Sequence, residues 1–415
     1  MVNIAVLGYG VVGSGVAEVI RKNSISIAER AGEQIAVKKI ADVRDFPGSP
    51  DQHLLTKNAE EIFDDESIGI IVETIGGAKI AYEFTKRALQ RKKHVVTSNK
   101  ELVANHGPEL LQLAKENGVS YLFEASVGGG IPIIRPLYQC LAANEIQGIT
   151  GILNGTTNYI LTQMKNEGMN FAAALKEAQE KGYAEADPTA DVEGHDACRK
   201  IAILSSIAYN EYVNSNKIYT EGISRITPVD MEYAECMNSA IKLVATSKRL
   251  ENGIFARVSP AIVSRNHPLS NVEDVFNAIV VEGDAIGEAM FYGRGAGKLP
   301  TASAVVADII DIVKHTDSTN GRCWNTDHTD NIVDARKADT RFFIRIKTED
   351  VQQTALLSEE FFGKIKRIRI DHPDTQNELA FITGLEKEEI LLNSLNQFKD
   401  CGKVNDVVNM IRVLE

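Results

Sequence analysis

The chain has 415 residues, which is too many for one compact core, so two or three domains are expected. Apolar residues make up 44% and charged residues 25%, as in an ordinary soluble globular protein. The formal net charge of −12 argues against a nucleic acid or an anionic membrane surface as a partner. No apolar run approaches the length of a membrane span, and the first residues read as a strand rather than a signal peptide.

The cysteines are odd in number, widely scattered and without a Cys-x-x-Cys pair, so we expect no disulfide framework and a reducing compartment, the cytoplasm. His195 and Cys198 lie three residues apart, but no second ligand pair accompanies them. We therefore expect no transition-metal site.

Residues 1–135 alternate short β-branched runs with amphipathic stretches, which is typical of a parallel sheet wrapped by helices. Pro108 and Gly118 bracket a helix, because Pro often begins helices and Gly often ends them. The pattern predicts an N-terminal α/β domain of the doubly wound, Rossmann type. Its predicted strands are residues 2–7, 35–41, 68–73, 94–97 and 119–124.

Residues 136–296 change to a mixed α/β pattern that we assign to substrate binding and dimerisation. Asn170 is the predicted N-cap of a helix at 171–181, and Gly182 is its C-terminal stop. A longer helix is predicted at 194–209.

A helix at 297–315 is expected to return to the first domain, and residues 316–340, almost free of aliphatic side chains, read as a linker. The last part, 341–415, has the order βαββαβ of a small ferredoxin-like module. Its predicted strands are residues 341–348, 365–371, 378–385 and 404–414.

A glycine-rich loop, Gly8-Tyr9-Gly10-Val11-Val12-Gly13, follows the first strand and opens a helix. The first glycine permits a tight turn, the second lets the backbone approach a pyrophosphate, and the third lets helix and strand pack closely. The helix N-terminus then offers N–H groups to the phosphates. This context predicts a dinucleotide site, and the alternative is a glycine-rich turn with no ligand.

The choice of coenzyme depends on the end of the second strand. Asp42 is placed to accept hydrogen bonds from an adenosine ribose, whereas Arg44, with help from Lys57, could hold a 2′-phosphate. These residues favour NADP, with NAD as the alternative. An ion pair between Arg44 and Asp45 would be a purely structural explanation.

A segment dense in carboxylates, residues 182–200, leads into an apolar helix. Asp196 and Lys200 are four residues apart, so they share a face of that helix. Because the helix continues apolar on nearly all sides, both side chains are expected in an interior, where a lysine beside a carboxylate can protonate a carbonyl oxygen. A surface ion pair is the alternative. Glu185 and Asp191 would complement a substrate ammonium.

Lys100 is a second candidate for acid–base chemistry. It follows the strand at 94–97, at the carboxyl end where ligands bind in open α/β sheets. An ordinary lysine in a βα loop is the alternative.

Seven segments in this order resemble the homoserine dehydrogenase family over roughly 300 residues. Besides the glycine-rich loop they are Glu73-Thr-Ile-Gly-Gly77, Thr97-Ser-Asn-Lys100, Phe123-Glu-Ala-Ser-Val-Gly-Gly-Gly-Ile-Pro132, Gly151-Ile-Leu-Asn-Gly-Thr-Thr-Asn-Tyr159, residues 182–200, and Gly293-Arg-Gly-Ala-Gly-Lys-Leu-Pro-Thr-Ala302.

The resemblance implies reversible hydride transfer between L-homoserine and L-aspartate 4-semialdehyde, in threonine and methionine biosynthesis, by a homodimer or homotetramer. It makes Lys200 the proton donor, Asp196 its partner, and Lys100 a residue between nicotinamide and substrate. The remaining implied positions are Thr74, Thr97, Ser98 and Gly295 for the coenzyme, and Gly155, Thr156, Glu185 and Asp191 for the substrate.

Two further features are implied by the resemblance. One is a monovalent cation, sodium, held mainly by backbone carbonyls of Glu124, Val127, Gly129 and Ile131. The other is an ACT-type regulatory fold at 341–415, although residues 348–357 lack the Pro and Gly of that family's effector turn.

Two rival functions remain from the residues themselves. A related Rossmann dehydrogenase acting on another small amino or hydroxy acid would keep the loop and Lys200 but change the carboxylate segment. A catalytically inert sensor would have no need of Lys100, Asp196 and Lys200.

Overall fold

The β-branched runs near the N-terminus form a parallel sheet covered by helices. The computed structural model describes residues 1–315, 323–327, 330–400 and 406–414. The first elements are β1 (Val2–Leu7), α1 (Val11–Lys22), α2 (Ser24–Ala31), β2 (Ile35–Ala41), β3 (Leu55–Thr56), α3 (Glu60–Phe63), β4 (Ile68–Glu73), α4 (Lys79–Gln90), β5 (His94–Thr97), α5 (Lys100–Asn117) and β6 (Tyr121–Leu122).

The sheet has the order β3-β2-β1-β4-β5-β6, and each neighbouring pair is parallel. The chain runs outward from β1 through β2 and then returns to β4 on the other side of β1. This reversal places a crevice at the carboxyl ends of β1 and β4, where open α/β sheets bind ligands. The predicted Rossmann-like fold of this region is confirmed.

The middle and last parts of the chain mix both element types. They comprise β7 (Ile146–Ile152), α6 (Gly155–Glu167), α7 (Phe171–Glu180), α8 (Thr189–Val192), α9 (His195–Tyr209), β8 (Tyr219–Thr220), α10 (Pro228–Cys236), β9 (Ser239–Leu250), β10 (Gly253–Ser264), β11 (Phe276–Gly283), β12 (Gly287–Arg294), α11 (Lys298–Lys314), β13 (Ile332–Val333), β14 (Asp339–Lys347), α12 (Val351–Phe362), β15 (Lys366–Ile368), β16 (Glu378–Ile382), β17 (Glu386–Lys387), α13 (Glu388–Asp400) and β18 (Asp406–Leu414).

The chain divides into two units. The first comprises residues 1–147, 199–216 and 281–330, and the second comprises residues 148–198, 217–280 and 331–415. Helix α9 begins in the second unit and continues into the first. The functional division at 135, 296 and 340 stays a prediction.

Helix α11 packs against α1 in the first unit, as predicted for a returning helix. Its Val305 and Ile309 are buried in one cluster with Val16 and Ile20 of α1. A Cβ on Gly15 would come within 2.9 Å of the Lys298 carbonyl oxygen, so the two helices need a glycine at their crossing.

In the second unit, strands β9 and β10 form a long antiparallel hairpin. The C-terminal elements follow the order βαββαβ, and their strands lie in the order β18-β14-β16-β15. Strand β18 also pairs in parallel with β10, from Ala261–Arg412 to Val263–Leu414, so one mixed sheet continues from the hairpin into the C-terminal strands.

Strand β15 covers only Lys366–Ile368 of the predicted residues 365–371, and β16 ends at Ile382 instead of residue 385. Three further predictions need correction. Strand β6 covers only Tyr121–Leu122 instead of residues 119–124, because the chain turns at Glu124–Ser126. Pro108 lies inside α5 and does not begin it. Its missing N–H would leave the Ala104 carbonyl without its helical donor. The Tyr212 hydroxyl donates to that carbonyl at 3.0 Å, which satisfies it.

The third correction concerns the linker at 316–340, of which the structure describes 323–327 and 330–340. Trp324 is buried at 5% exposure, and β13 pairs with β10. These parts of the segment are therefore integrated into the two units. Among the described residues, no helix is long and apolar enough to cross a membrane.

Candidate active site

The glycine-rich loop between β1 and α1 has different requirements at its three glycines. Gly8 has a positive φ of 93°, and a Cβ there would lie 2.9 Å from the Thr74 carbonyl oxygen. A Cβ on Gly13 would lie 1.9 Å from the Gly8 carbonyl oxygen. At Gly10, by contrast, it would meet only Arg44 Nη2 at 3.7 Å. The middle glycine therefore faces open space, which fits the approach of a pyrophosphate.

Helix α1 begins at this open space without a capping side chain. Its N-cap is Gly10, which has no side chain to accept from the first amides, and Val11 is 67% exposed. The N–H groups of Val11, Val12 and Gly13 have no partner within the helix, so they are suited to an anion.

At the end of β2, Asp42 and Arg44 bind each other. Arg44 donates to the Asp42 carboxylate from Nε at 3.0 Å and from Nη2 at 2.9 Å, and the Tyr9 N–H donates to it at 2.7 Å. The hydrogen bond from Arg44 lowers the pKa of Asp42 to about 2. The alternative pairing of Arg44 with Asp45 is wrong, because Asp45 pairs with Lys57 at 2.9 Å.

A cavity of about 430 Å³ opens over these groups. The structure thus brings together many of the residues predicted to bind the coenzyme. The cavity is lined by Gly8, Gly10, Asp42, Arg44, Lys57 and Thr74.

The neighbouring strand ends hold the loop and start α5. The Thr74 hydroxyl donates to the Gly8 carbonyl at 2.7 Å. The buried Thr97 hydroxyl donates to Glu73 at 2.5 Å, and the Ile75 N–H donates to the same carboxylate at 2.6 Å. Burial raises the pKa of Glu73 to about 7. The Thr97 side chain therefore connects the carboxyl ends of β4 and β5 through Glu73.

Lys100 is the first residue of α5 and directly follows the N-cap residue Asn99. The Asn99 side chain caps the helix by accepting from the Leu102 N–H at 3.0 Å. Its amide nitrogen donates to the Gly77 carbonyl at 2.7 Å. Ser98 and Lys100 are partly exposed, at the carboxyl end of β5 where the sequence placed them.

The segment predicted to bind a cation turns at two glycines with positive φ, Gly128 and Gly129. A Cβ on Gly129 would lie 2.4 Å from the Gly295 carbonyl oxygen, so this turn packs against the predicted coenzyme-covering loop. The Glu124 carboxylate accepts the N–H groups of Ile133, Ile134 and Arg135 at 2.7–2.8 Å. Because these N–H groups occupy the Glu124 carboxylate, the groups of this segment that would suit a cation are its carbonyl oxygens. No group of three or more His, Cys, Asp or Glu side chains that could hold a metal occurs within the described ranges.

The second unit contains the residues predicted to bind substrate. Thr156, in the first turn of α6, donates its hydroxyl to the Tyr183 carbonyl at 2.7 Å. Glu185 is exposed, and Asp191 lies on α8. A Cβ on Gly155 would lie 2.8 Å from the Val275 carbonyl oxygen, so the close packing of α6 requires this glycine.

Asp196 and Lys200 occupy one face of α9 and are 2% and 7% exposed. The prediction that both lie in an interior is confirmed, and the alternative of a surface ion pair is wrong. The predicted coenzyme residues and Lys200 thus belong to the first unit, and Asp196 and the predicted substrate residues belong to the second.

Two buried polar residues were not identified as functional from the sequence, Glu73 in the first unit and Asn154 in the second. Asn154 donates from Nδ2 to Asp191 at 2.7 Å and to Asp196 at 2.8 Å. An asparagine directly before a helix is typical of an N-cap. The carboxylate partners of Asn154 are 37 and 42 residues away along the chain, so no local pattern indicates them. Glu73 belongs to one of the segments that resemble the family. Its burial, which the sequence does not show, is what marks it as unusual.

Comparisons with known proteins agree with the resemblance seen in the sequence. Residues 8–124 match the family model described as homoserine dehydrogenase, NAD binding domain, and residues 132–310 match the model described as homoserine dehydrogenase. The homoserine dehydrogenase of Neisseria gonorrhoeae is 37% identical, over 99% of this chain and 98% of its own length.

Solved structures give the same result. A homoserine dehydrogenase from Thiobacillus denitrificans superposes with a TM-score of 0.91 at 37% identity, and the match covers 100% of this chain and 98% of that one. A hyperthermophilic archaeal homoserine dehydrogenase in complex with NADPH has a TM-score of 0.63 at 31% identity. That match covers 75% of this chain and 97% of the other.

Proposed function

The chain belongs to the homoserine dehydrogenase family, and we propose that Lys200 is the proton donor in its interconversion of L-homoserine and L-aspartate 4-semialdehyde. It is an NAD(P)-dependent oxidoreductase acting on a CH–OH group. The observation that carries the proposal is the burial of Asp196 and Lys200 on one face of α9.

In the reducing direction, the aldehyde carbon gains a hydride and its oxygen gains a proton. A bound nicotinamide coenzyme supplies the hydride. Lys200 supplies the proton, and its ammonium stabilises the negative charge that develops on the oxygen. Asp196, four residues before Lys200 on the same face of α9, is the partner of this lysine. Lys100, at the carboxyl end of β5, would share the acid–base work if the nicotinamide bound beside it.

The ammonium group of the substrate needs a negatively charged partner. Glu185 and Asp191 provide it, while Thr156 and the backbone at Gly155 contact the rest of homoserine. The exposure of Glu185 and the partial exposure of Asp191 support this assignment, because both carboxylates can reach a ligand from solvent.

For the coenzyme we propose NADP in preference to NAD. The Arg44 side chain is 61% exposed beside the cavity, and a guanidinium matches a 2′-phosphate through two hydrogen bonds. Asp42 competes for the same guanidinium and would suit the ribose of NAD instead.

We also propose a sodium ion in the turn at Glu124, Val127, Gly129 and Ile131. Carbonyl oxygens are suitable ligands for a hard cation, and the two positive-φ glycines let the backbone turn them inward. The ion would hold this segment and would take no part in proton transfer.

The βαββαβ order and the strand order of residues 339–414 support an ACT-like fold. Because residues 348–357 contain neither Pro nor Gly, we propose that threonine inhibits this enzyme weakly or not at all. The module would serve mainly in association of subunits into a homodimer or homotetramer. The enzyme would act in the cytoplasm, in threonine, methionine and isoleucine biosynthesis.

Steady-state assays of homoserine oxidation with Lys200→Met test the catalytic assignment. The substitution keeps the volume of the buried side chain and removes its ammonium. We expect kcat to fall on the order of 100- to 10,000-fold while coenzyme affinity is unchanged. Lys176→Met, on the exposed face of α7, is the control. A variant that retains more than about half of wild-type kcat would make Lys100 the proton donor instead.

A further inference from the structure

We propose that Asn154 is a positioning residue that holds the substrate-binding carboxylate of Asp191 and the carboxylate of Asp196, the partner of Lys200, in place. The inference rests on the proposed function, in which Asp191 binds the substrate and Asp196 is the partner of Lys200. Asn154 lies between β7 and α6 and is only 5% exposed.

The two ends of the Asn154 amide have separate tasks. Its oxygen caps α6 by accepting from the Thr157 N–H at 2.8 Å and from the Thr157 hydroxyl at 3.0 Å. This fixes which end of the amide faces the helix. The nitrogen must therefore point away from it, where it donates to Asp191 Oδ1 at 2.7 Å and to Asp196 Oδ2 at 2.8 Å.

One amide nitrogen has two hydrogens, and here each has a carboxylate. Two carboxylates that approach the same atom repel each other. Hydrogen bonds to the charged forms oppose that effect without adding a charge of their own. Serine at this position would have a single hydrogen, and aspartate would add a third carboxylate.

The contacts also connect three elements that carry residues assigned to the substrate or to proton transfer. Asp191 belongs to α8 and Asp196 to the first turn of α9, while the capped helix α6 carries Thr156. Asn154 thereby fixes the carboxylate that stands four residues before Lys200. A helix cap alone would require only the oxygen, as at Asn170, whose side chain accepts from the Ala173 N–H at 2.9 Å.

This comparison supplies a matched control. Asn154→Ser and Asn170→Ser both retain a side-chain oxygen that can cap, since serine caps about as well as asparagine. Only Asn154→Ser loses the two donors to carboxylates. Homoserine oxidation by both variants and the wild type is measured at steady state, together with coenzyme affinity from nicotinamide fluorescence.

For Asn154→Ser we expect at least a tenfold loss in kcat/KM for homoserine, with a raised homoserine KM and unchanged coenzyme affinity. Asn154→Asp should lose more, because it keeps the cap but replaces a donor by an acceptor. Asn170→Ser should stay within twofold of the wild type. A purely structural role would instead lower kcat through loss of folded enzyme and leave both KM values unchanged.

The proposal is overturned if Asn154→Ser matches Asn170→Ser, or if its loss appears in kcat alone and follows the folded fraction measured by circular dichroism. A wild-type enzyme that failed to oxidise homoserine with either coenzyme would contradict the proposed function itself. An active wild type with an unaffected Asn154→Ser variant would contradict only the role of Asn154.

Discussion

Arg44 is held by Asp42 through two hydrogen bonds, so a 2′-phosphate bound as proposed would compete with a carboxylate for this cation. The sequence placed both residues at the coenzyme site from their position after β2. It could not predict that they bind each other, because that contact depends on the backbone turn that also directs the Tyr9 N–H toward Asp42. Coenzyme choice thus depends on which partner the guanidinium prefers.

Arg44→Ala should lower kcat/KM with NADP on the order of 10- to 100-fold, since a charge-assisted bidentate contact is lost. With NAD the value should be almost unchanged, because NAD lacks the 2′-phosphate. Both coenzymes are assayed in wild type, Arg44→Ala and the exposed control Arg30→Ala. Equal losses with the two coenzymes would contradict a role in phosphate recognition.

Glu73 should make stability depend on pH, because burial raises its pKa from 4.5 to about 7. Between these values the native state holds a proton that the unfolded state has released. The free energy of unfolding should therefore fall as pH rises from about 4.5 to 7, by up to about 3 kcal/mol. Urea unfolding at several pH values should show a steeper fall in the wild type than in Glu73→Gln, which keeps only the contributions of other groups such as the buried Asp308. An exposed control, Glu83→Gln, should keep the slope, and parallel curves for the wild type and Glu73→Gln would refute the assignment.

At the scale of elements, hydrophobic periodicity and capping residues predicted the bounds of those helices and strands that the local sequence determines. The Asn170 cap and helix α9 begin within one residue of their predicted positions, and β1, β2, β4 and β5 have their predicted bounds. Pro108 shows where this reasoning stops. A local rule places proline at a helix start, whereas α5 tolerates it because Tyr212, far along the chain, satisfies the Ala104 carbonyl.

Helix α5 offers a direct test of the packing of Trp324, the single tryptophan of the chain. A Cβ on Gly107 would lie 2.4 Å from Trp324 Cζ3, so Gly107→Ala should displace the ring toward water. Tryptophan emission should then shift to longer wavelength, and the thermal midpoint should fall. Gly69→Ala is the control, because a Cβ there meets nothing within 4 Å. Unchanged emission from Gly107→Ala would mean that Trp324 does not pack on α5.

At the scale of the whole chain, composition predicts a C-terminal module attached by a polar linker, and such a module should be removable without unfolding the rest of the chain. The contacts of the second unit contradict that reasoning. Arg345 lies between Asp230 of α10 and Glu378 of β16, all three buried. Arg412 of β18, also buried, binds the buried Glu388 of α13 and the partly exposed Glu221. Ion pairs between distant residues leave no pattern in a linker's composition, so the sequence could not indicate them.

Removal of residues 341–415 should therefore destabilise the second unit. Asp230, which is fully buried, would lose the guanidinium that neutralises it, and β10 would lose its parallel partner β18. Breaking one buried pair costs on the order of 3–5 kcal/mol, which is a large part of the stability of a typical domain. The truncated protein should aggregate, or unfold well below the full chain in a thermal melt. Full-length Arg345→Met should reproduce part of this loss, whereas Arg336→Met, which removes an exposed pair with Asp334, should unfold like the wild type. A truncated enzyme with the wild-type melting midpoint and activity would restore the interpretation that the module is an independent domain.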